Sequence, residues 1–181
     1  HIKYPIVGSS DFVTVATTRP ETMFGDMAIA VNPKDKRYKD IIGEKVELPF
    51  VKRKIPIIGD DYVDKEFGTG CLKITPGHDF NDYEIGKKYC LHCVDNEVHI
   101  SDDIEDFEPL NIFTDDAHSN DNVPSPFKNL DRFKVRKLVL EEIKKLDLFV
   151  KEEPHEISVP RGERSNICLL YTSDAADDGL C

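Results

Sequence analysis

At 181 residues, with 39% hydrophobic and 33% charged positions, the chain has enough apolar material for one sizeable core. No stretch approaches the roughly 18–20 apolar residues of a membrane-spanning helix, and the start, His1-Ile2-Lys3-Tyr4-Pro5, lacks the basic end and apolar run of a signal peptide and the initiating Met of a complete protein, so a fragment of something longer is expected. A net charge of −11 excludes a broad electrostatic grip on phosphate backbones; any nucleic acid would have to be held mostly by a larger partner.

In chain order, Phe12 to Thr18 (FVTVATT) is rich in β-branched residues and predicts a strand. Arg19-Pro20-Glu21-Thr22 follows, and a proline at a first helical position predicts a short helical turn. Ala28 to Val31 predicts a second strand, ended by Asn32-Pro33. Lys45 to Val51 and Lys54 to Ile58 predict two more, whose prolines should confine them to edges or bulges. Cys71 to Thr75 (CLKIT) predicts a strand with polar residues at alternate positions. Ser101 to Glu108 (SDDIEDFE) reads as a solvated acidic loop. Between Leu130 and Phe149, Val135, Val139, Ile143 and Leu146 recur at helical spacing, which predicts an amphipathic packing helix without chemistry of its own. Together these elements predict a mainly β, barrel-like fold, closed or nearly closed, with peripheral α-helices.

The five cysteines are odd in number and unevenly spread, so no disulfide framework is expected and a reducing compartment is the default. Cys90-Leu91-His92-Cys93 is a lone Cys-x-x-Cys pair; a structural zinc site needs four ligands, so a free-thiol loop is expected and no metal.

Two polar clusters stand out. Thr17-Thr18-Arg19-Pro20-Glu21-Thr22 puts hydroxyls and a guanidinium where a strand meets a helix start. Free N–H groups there attract anions or carbonyl oxygens, and a plain capping motif explains the threonines equally well. The second cluster is FGTGCLKITPGHDFNDYE, Phe67 to Glu84. Asp79 fits the N-cap of a helix, with Asp82 as its capping partner. Capping leaves Lys73 and Thr75 unexplained: they share one strand face, aimed at the Pro76-Gly77 reversal. An ammonium, a hydroxyl and two carboxylates together would suit a small zwitterion or amino-alcohol. Neither cluster contains a Gly-x-Ser-x-Gly motif or a cysteine with an adjacent histidine partner.

ATTRPETMFGD (Ala16 to Asp26), VNPKDKRY (Val31 to Tyr38) and DYVDKEFGTGCLKITPGHDFNDYEIGKKY (Asp61 to Tyr89) resemble the inserted editing domain shared by the valyl, isoleucyl and leucyl class I tRNA synthetases, in its valyl form. The likeness resumes at Asn111 (NIFTDD) and runs through the helix to VPRGERS at 159–165. An editing domain over 1–165 is therefore expected, with 90–110 as an inserted loop and 166–181 (NICLLYTSDAADDGLC) as an atypical, non-native tail that contributes no site residue. Neither synthetic signature of the family, of the His-Ile-Gly-His or Lys-Met-Ser-Lys-Ser type, occurs, so ATP would be used by the parent enzyme outside this segment.

The resemblance implies hydrolysis of threonine mischarged onto valine tRNA. The valyl enzyme is the standard illustration of the problem: an apolar pocket separates valine from threonine by only about a hundredfold. Carried over by position, Asp82 would anchor the substrate α-ammonium, and Lys73, Thr75 and Asp79 would line the threonine side-chain pocket. Phe67 would close it, and Arg19 would lie near the substrate and terminal adenosine. Thr17, Thr18 and Thr22 would form a threonine-rich wall, Thr17 and Thr18 joining Asp82 in the catalytic set. The implied chemistry is attack of water on the aminoacyl ester, with no metal or cofactor and without His78 as base. The implied partners are the aminoacylated 3′ end of valine tRNA and the rest of the parent synthetase, in the cytoplasm or an organelle and not at a membrane. The rival readings are a non-catalytic tRNA-binding or interaction fragment and a metal-dependent hydrolase.

Overall fold

Two apolar strands near the N-terminus, β1 (Ile2–Pro5) and β2 (Phe12–Val15), form an antiparallel hairpin in the computed structural model, which describes residues 1–154. The 159–165 motif and the tail from Asn166 lie outside the described residues. β2 stops at Val15, short of the expected Thr18, because local bonding competes with the ladder: the Thr17 hydroxyl accepts from the Arg19 N–H at 3.0 Å and turns the chain. The expected helical turn follows as a 3-10 turn at Pro20–Gly25, all of it buried.

β3 (Ala28–Val31) is an interior strand of the main sheet and is buried at every position, the continuous apolar run that a strand covered on both faces requires. It runs antiparallel to β6 (Cys71–Ile74) and parallel to β5 (Lys54–Gly59). β4 (Lys45–Glu47) pairs antiparallel with β5 and ends ahead of Pro49. Pro56 lies inside β5, which is central and not the expected edge. It sits opposite Lys45, and the register with β3 begins only at Ile57, so no rung of that parallel ladder needs the missing N–H.

The segment expected as a loop at 90–110 carries a hairpin, β7 (His92–Val94) and β8 (Glu97–His99). Its Asp95-Asn96 turn has φ of 49° and 62°, the left-handed pair that a two-residue hairpin turn demands. β8 joins β5 through the Lys54–Glu97 register, giving the order β6-β3-β5-β8-β7, with β4 also on β5. The fold is mainly β with few peripheral helices, and the sheet is open, not closed into a barrel. The acidic stretch after it is exposed around a 3-10 turn at Ile104–Asp106.

The helices are α1 (Phe80–Lys88) and α2 (Arg132–Lys145). α2 buries Val135, Val139 and Ile143 as their spacing predicts. Leu146 does not join that face; it is the C-cap, past the last helical turn, and is 52% exposed. Beyond α2 the chain returns to β1, with Phe149 bridging Ile2. Two glycines permit the approaches that shape the site. A Cβ on Gly77 would lie 2.5 Å from the Leu110 carbonyl oxygen, and one on Gly86 would lie 2.6 Å from the Pro76 ring. The Pro76-Gly77 turn is thereby clamped between the 110–112 segment and α1.

Candidate functional site

The polar stretch after β6 begins as its capping reading predicts. Asp79 is the N-cap of α1 and accepts from the N–H groups of Asn81 at 2.9 Å and Asp82 at 3.2 Å. Asp82 is not the reciprocal capping partner. Its Oδ2 reaches back to accept from the Thr75 N–H at 2.9 Å, the first backbone donor past β6. Asp79 itself is exposed, whereas Asp82 is only 7% exposed.

Lys73 and Thr75 do share a face, and their partner is a residue that sequence reasoning passes over. The Lys73 ammonium donates to Thr22 Oγ1 at 3.0 Å, to Asp26 Oδ1 at 3.2 Å and to the Thr75 hydroxyl. Thr75 donates in turn to Asp26 Oδ1 at 2.6 Å, and the buried Tyr4 hydroxyl donates to Asp26 Oδ2 at 2.8 Å. Asp26 is fully buried and satisfied by three donors. The signal available for it was a lone aspartate between Phe24-Gly25 and the apolar run Met27 to Val31, where a carboxylate has no access to water and must find internal donors. The Tyr4 hydroxyl, beside that carboxylate and out of water, is held well above its ordinary pKa, burial being the larger cause.

Asp82 contrasts with Asp26. Among the described residues it has no ion-pair partner, and Lys73 is committed to Asp26. Burial pushes the Asp82 carboxyl up to about 7; the Lys73 charge pulls the other way and Asp79 adds to the rise. The result is a carboxylate that gains from a cation brought to it.

The remaining predicted residues lie along a neighbouring cavity of about 590 Å³, whose wall includes Thr17, Thr18, Phe67, Gly68, Pro20 and Arg136. Thr17 is half-buried, with its hydroxyl oxygen already accepting from Arg19; Thr18 is exposed. Phe67 is 68% exposed at the cavity mouth. Arg19 links the two regions: its N–H reaches Thr17, its carbonyl accepts from the Thr22 hydroxyl at 3.0 Å, and its guanidinium donates to the His78 carbonyl at 3.0 Å. The structure therefore gathers Thr22, Lys73, Thr75 and Asp82 in one buried cluster and sets Thr17, Thr18 and Phe67 on a cavity wall. Arg19 joins the two, and Asp79 stands at the outer end of α1.

Two further residues hold this arrangement. His78 is buried, and its Nε2 accepts from the Ile112 N–H at 3.0 Å, so the lone pair a base would use is engaged. Glu21, fully buried, receives both nitrogens of a bidentate Arg136 at 2.7 and 2.8 Å, which docks α2 on the Pro20–Gly25 turn. No three side chains of His, Cys, Asp or Glu come together as a metal-ligand group among the described residues. Nor, within the same residues, is any helix long and apolar enough to cross a membrane.

An open mainly β domain with a strand-end cluster of this kind matches known proteins at two levels. The family described as "Leucyl-tRNA synthetase, editing domain" matches residues 37–119. A solved structure described as "The crystal structure of GlLeuRS-CP1" superimposes with a TM-score of 0.58 at 16% identity, covering 80% of this chain and 85% of that one, a likeness of fold. The class is thus that of synthetase editing domains. Among curated relatives, the valine–tRNA ligase of Francisella tularensis is 50% identical over 93% of this chain, that of Coxiella burnetii 47% over 93%, and that of Pelagibacter ubique 51% over 92%. The chain belongs to the editing-domain family of the valyl-tRNA synthetases. It spans 17% of the length of each of these three relatives.

Proposed function

We propose that this chain is the part of a valine–tRNA ligase that removes threonine from mischarged valine tRNA. The observation that carries the reading is the pairing of an uncompensated buried carboxylate, Asp82, with an ammonium–hydroxyl cluster one strand turn away. A threonyl ester presents both an α-ammonium and a hydroxyl, the two groups such a pocket can read. Valine offers only the first, and its methyl would leave polar partners unpaired. Charge-assisted hydrogen bonds contribute about 1.5–3 kcal/mol each, enough for roughly a tenfold to hundredfold preference per contact.

In this mechanism Asp82 anchors the ammonium and thereby places the ester carbonyl. Water attacks that carbonyl, the bond to the ribose oxygen breaks, and threonine and a free 3′-terminal hydroxyl leave. Thr17 and Thr18 line the cavity beside the cluster, where the terminal adenosine would lie, and Phe67 covers its mouth. Thr22, Lys73 and Thr75 supply the polar environment for the side chain, Arg19 ties wall to cluster, and Asp79 sets the start of α1. The reading assigns the chemistry to water and side chains without metal or cofactor. It leaves valine activation and ATP to the remainder of the parent, in the cytoplasm. The test is deacylation of threonyl- and valyl-tRNA by the full-length protein: rapid loss of threonine with valine spared is expected, and equal cleavage of both would refute the assignment.

A further inference from the structure

We propose that Asp26 is a positioning residue of the site, acting as the resident counter-ion of Lys73 so that Asp82 stays unpaired for the cation of a ligand. The inference rests on the deacylase reading above and deepens it. The cluster holds one half-buried cation and two buried carboxylates. Electrostatics alone would let the ammonium pair with either. The hydrogen-bond geometry decides for Asp26. Its Oδ1 takes both the ammonium and the Thr75 hydroxyl, while Tyr4 fixes Oδ2 from the other side. All three ammonium hydrogens then have acceptors, Thr22, Asp26 and Thr75, and none is directed to Asp82. Asp82 is held in place by the Thr75 backbone N–H, a neutral donor that orients it without cancelling its charge. The same Thr75 therefore presents its side chain to one carboxylate and its backbone to the other, which keeps the two at fixed positions around Lys73. The raised proton affinity of Asp82 agrees with a carboxylate lacking a direct counter-charge.

Removing the Asp26 charge should release Lys73 to the only other carboxylate the cluster contains. The ligand ammonium would then compete with an internal one. In the full-length protein, Asp26→Asn should raise KM for threonyl-tRNA deacylation about tenfold or more, with a smaller change in kcat. The acid limb of the pH profile should move to lower pH, since a paired Asp82 ionises more readily. Tyr4→Phe supplies a gentler variant that keeps the ring packing. Its hydroxyl touches the cluster only through Asp26, and a KM increase of about two- to fivefold in the same direction is expected. Unchanged KM in Tyr4→Phe, or an acid limb that does not move in Asp26→Asn, overturns the role of Asp26 while leaving the deacylase reading standing. A wild-type protein inactive on threonyl-tRNA overturns both.

Discussion

The buried cluster and the cavity wall lie on either side of Arg19 and are built on opposite terms. In the cluster Lys73, Thr75 and Asp26 satisfy one another inside the protein while Asp82 keeps only a backbone partner, and geometry is set by a strand, a helix cap and a tight turn. On the wall, Thr18 and Phe67 face outward, and the space in front of them is large enough for a nucleoside-sized group. The difference separates two tasks. Discrimination between side chains differing by one hydroxyl needs groups that cannot relax; accommodation of a polymer's end needs room. In the proposed reading, rigid polar recognition would sit deep and contact with the larger body at the rim.

The contrast breaks most completely if the wall is detached from the cluster. Arg136→Met should strip buried Glu21 of its bidentate partner, leaving it only the looser Arg19 contact at 3.6 Å, and cost about 3 kcal/mol of stability, read by urea unfolding; Glu21→Gln with Arg136→Met should recover part of it. Within the cluster, Asp82→Asn should lower deacylation about 10- to 150-fold in the full-length protein while the fold survives, since shape is kept and charge is lost. The same substitution has a pH signature of opposite sign to the usual surface carboxylate. Because the folded pKa, about 7, lies above the unfolded value of 3.8, the folded state holds its proton more tightly. Stability from this group is present below pH 3.8 and is lost as pH rises through about 7. The Asn variant should lack that decline, and thermal melts from pH 4 to 8 would show it as a flatter curve. At the exposed end, Asp79→Ala should cost about 1 kcal/mol as a lost cap, and Asp79→Asn only a few tenths, by the same unfolding measurement. Smallest of all, Thr18→Ala should change stability by less than about 0.5 kcal/mol, so any loss of deacylation it causes reports on the ligand alone.

What was legible in the sequence follows the same division. Local chemistry spoke clearly: the capping aspartate, the Pro20 turn, the apolar β3 and the buried face of α2 all follow from short-range pattern. Lys73 and Thr75 could be placed together because a strand has a period of two. The Asp26 and Glu21 interactions could not, because each is made with partners distant in the chain and neither residue breaks a local rule. The openness of the sheet and the hairpin within 90–110 are not legible locally for a related reason: strand pairing across long connections carries no local signature, and the Asp95-Asn96 turn is the short-range clue. Pro56 shows the same limit, since whether a proline harms a strand depends on where its neighbour's ladder starts.

The ion pair between Glu21 and Arg136 spans 115 residues, whereas Lys73 and Asp26 are 47 apart. During synthesis the ribosome therefore releases the cluster's two halves well before the helix that neutralises Glu21. For that interval Glu21 has Arg19, 3.6 Å away in the folded protein, as its nearby cation, and its bidentate contact waits for α2. The recognition half of the site can mature first, and the rim it shares with the helix is fastened last.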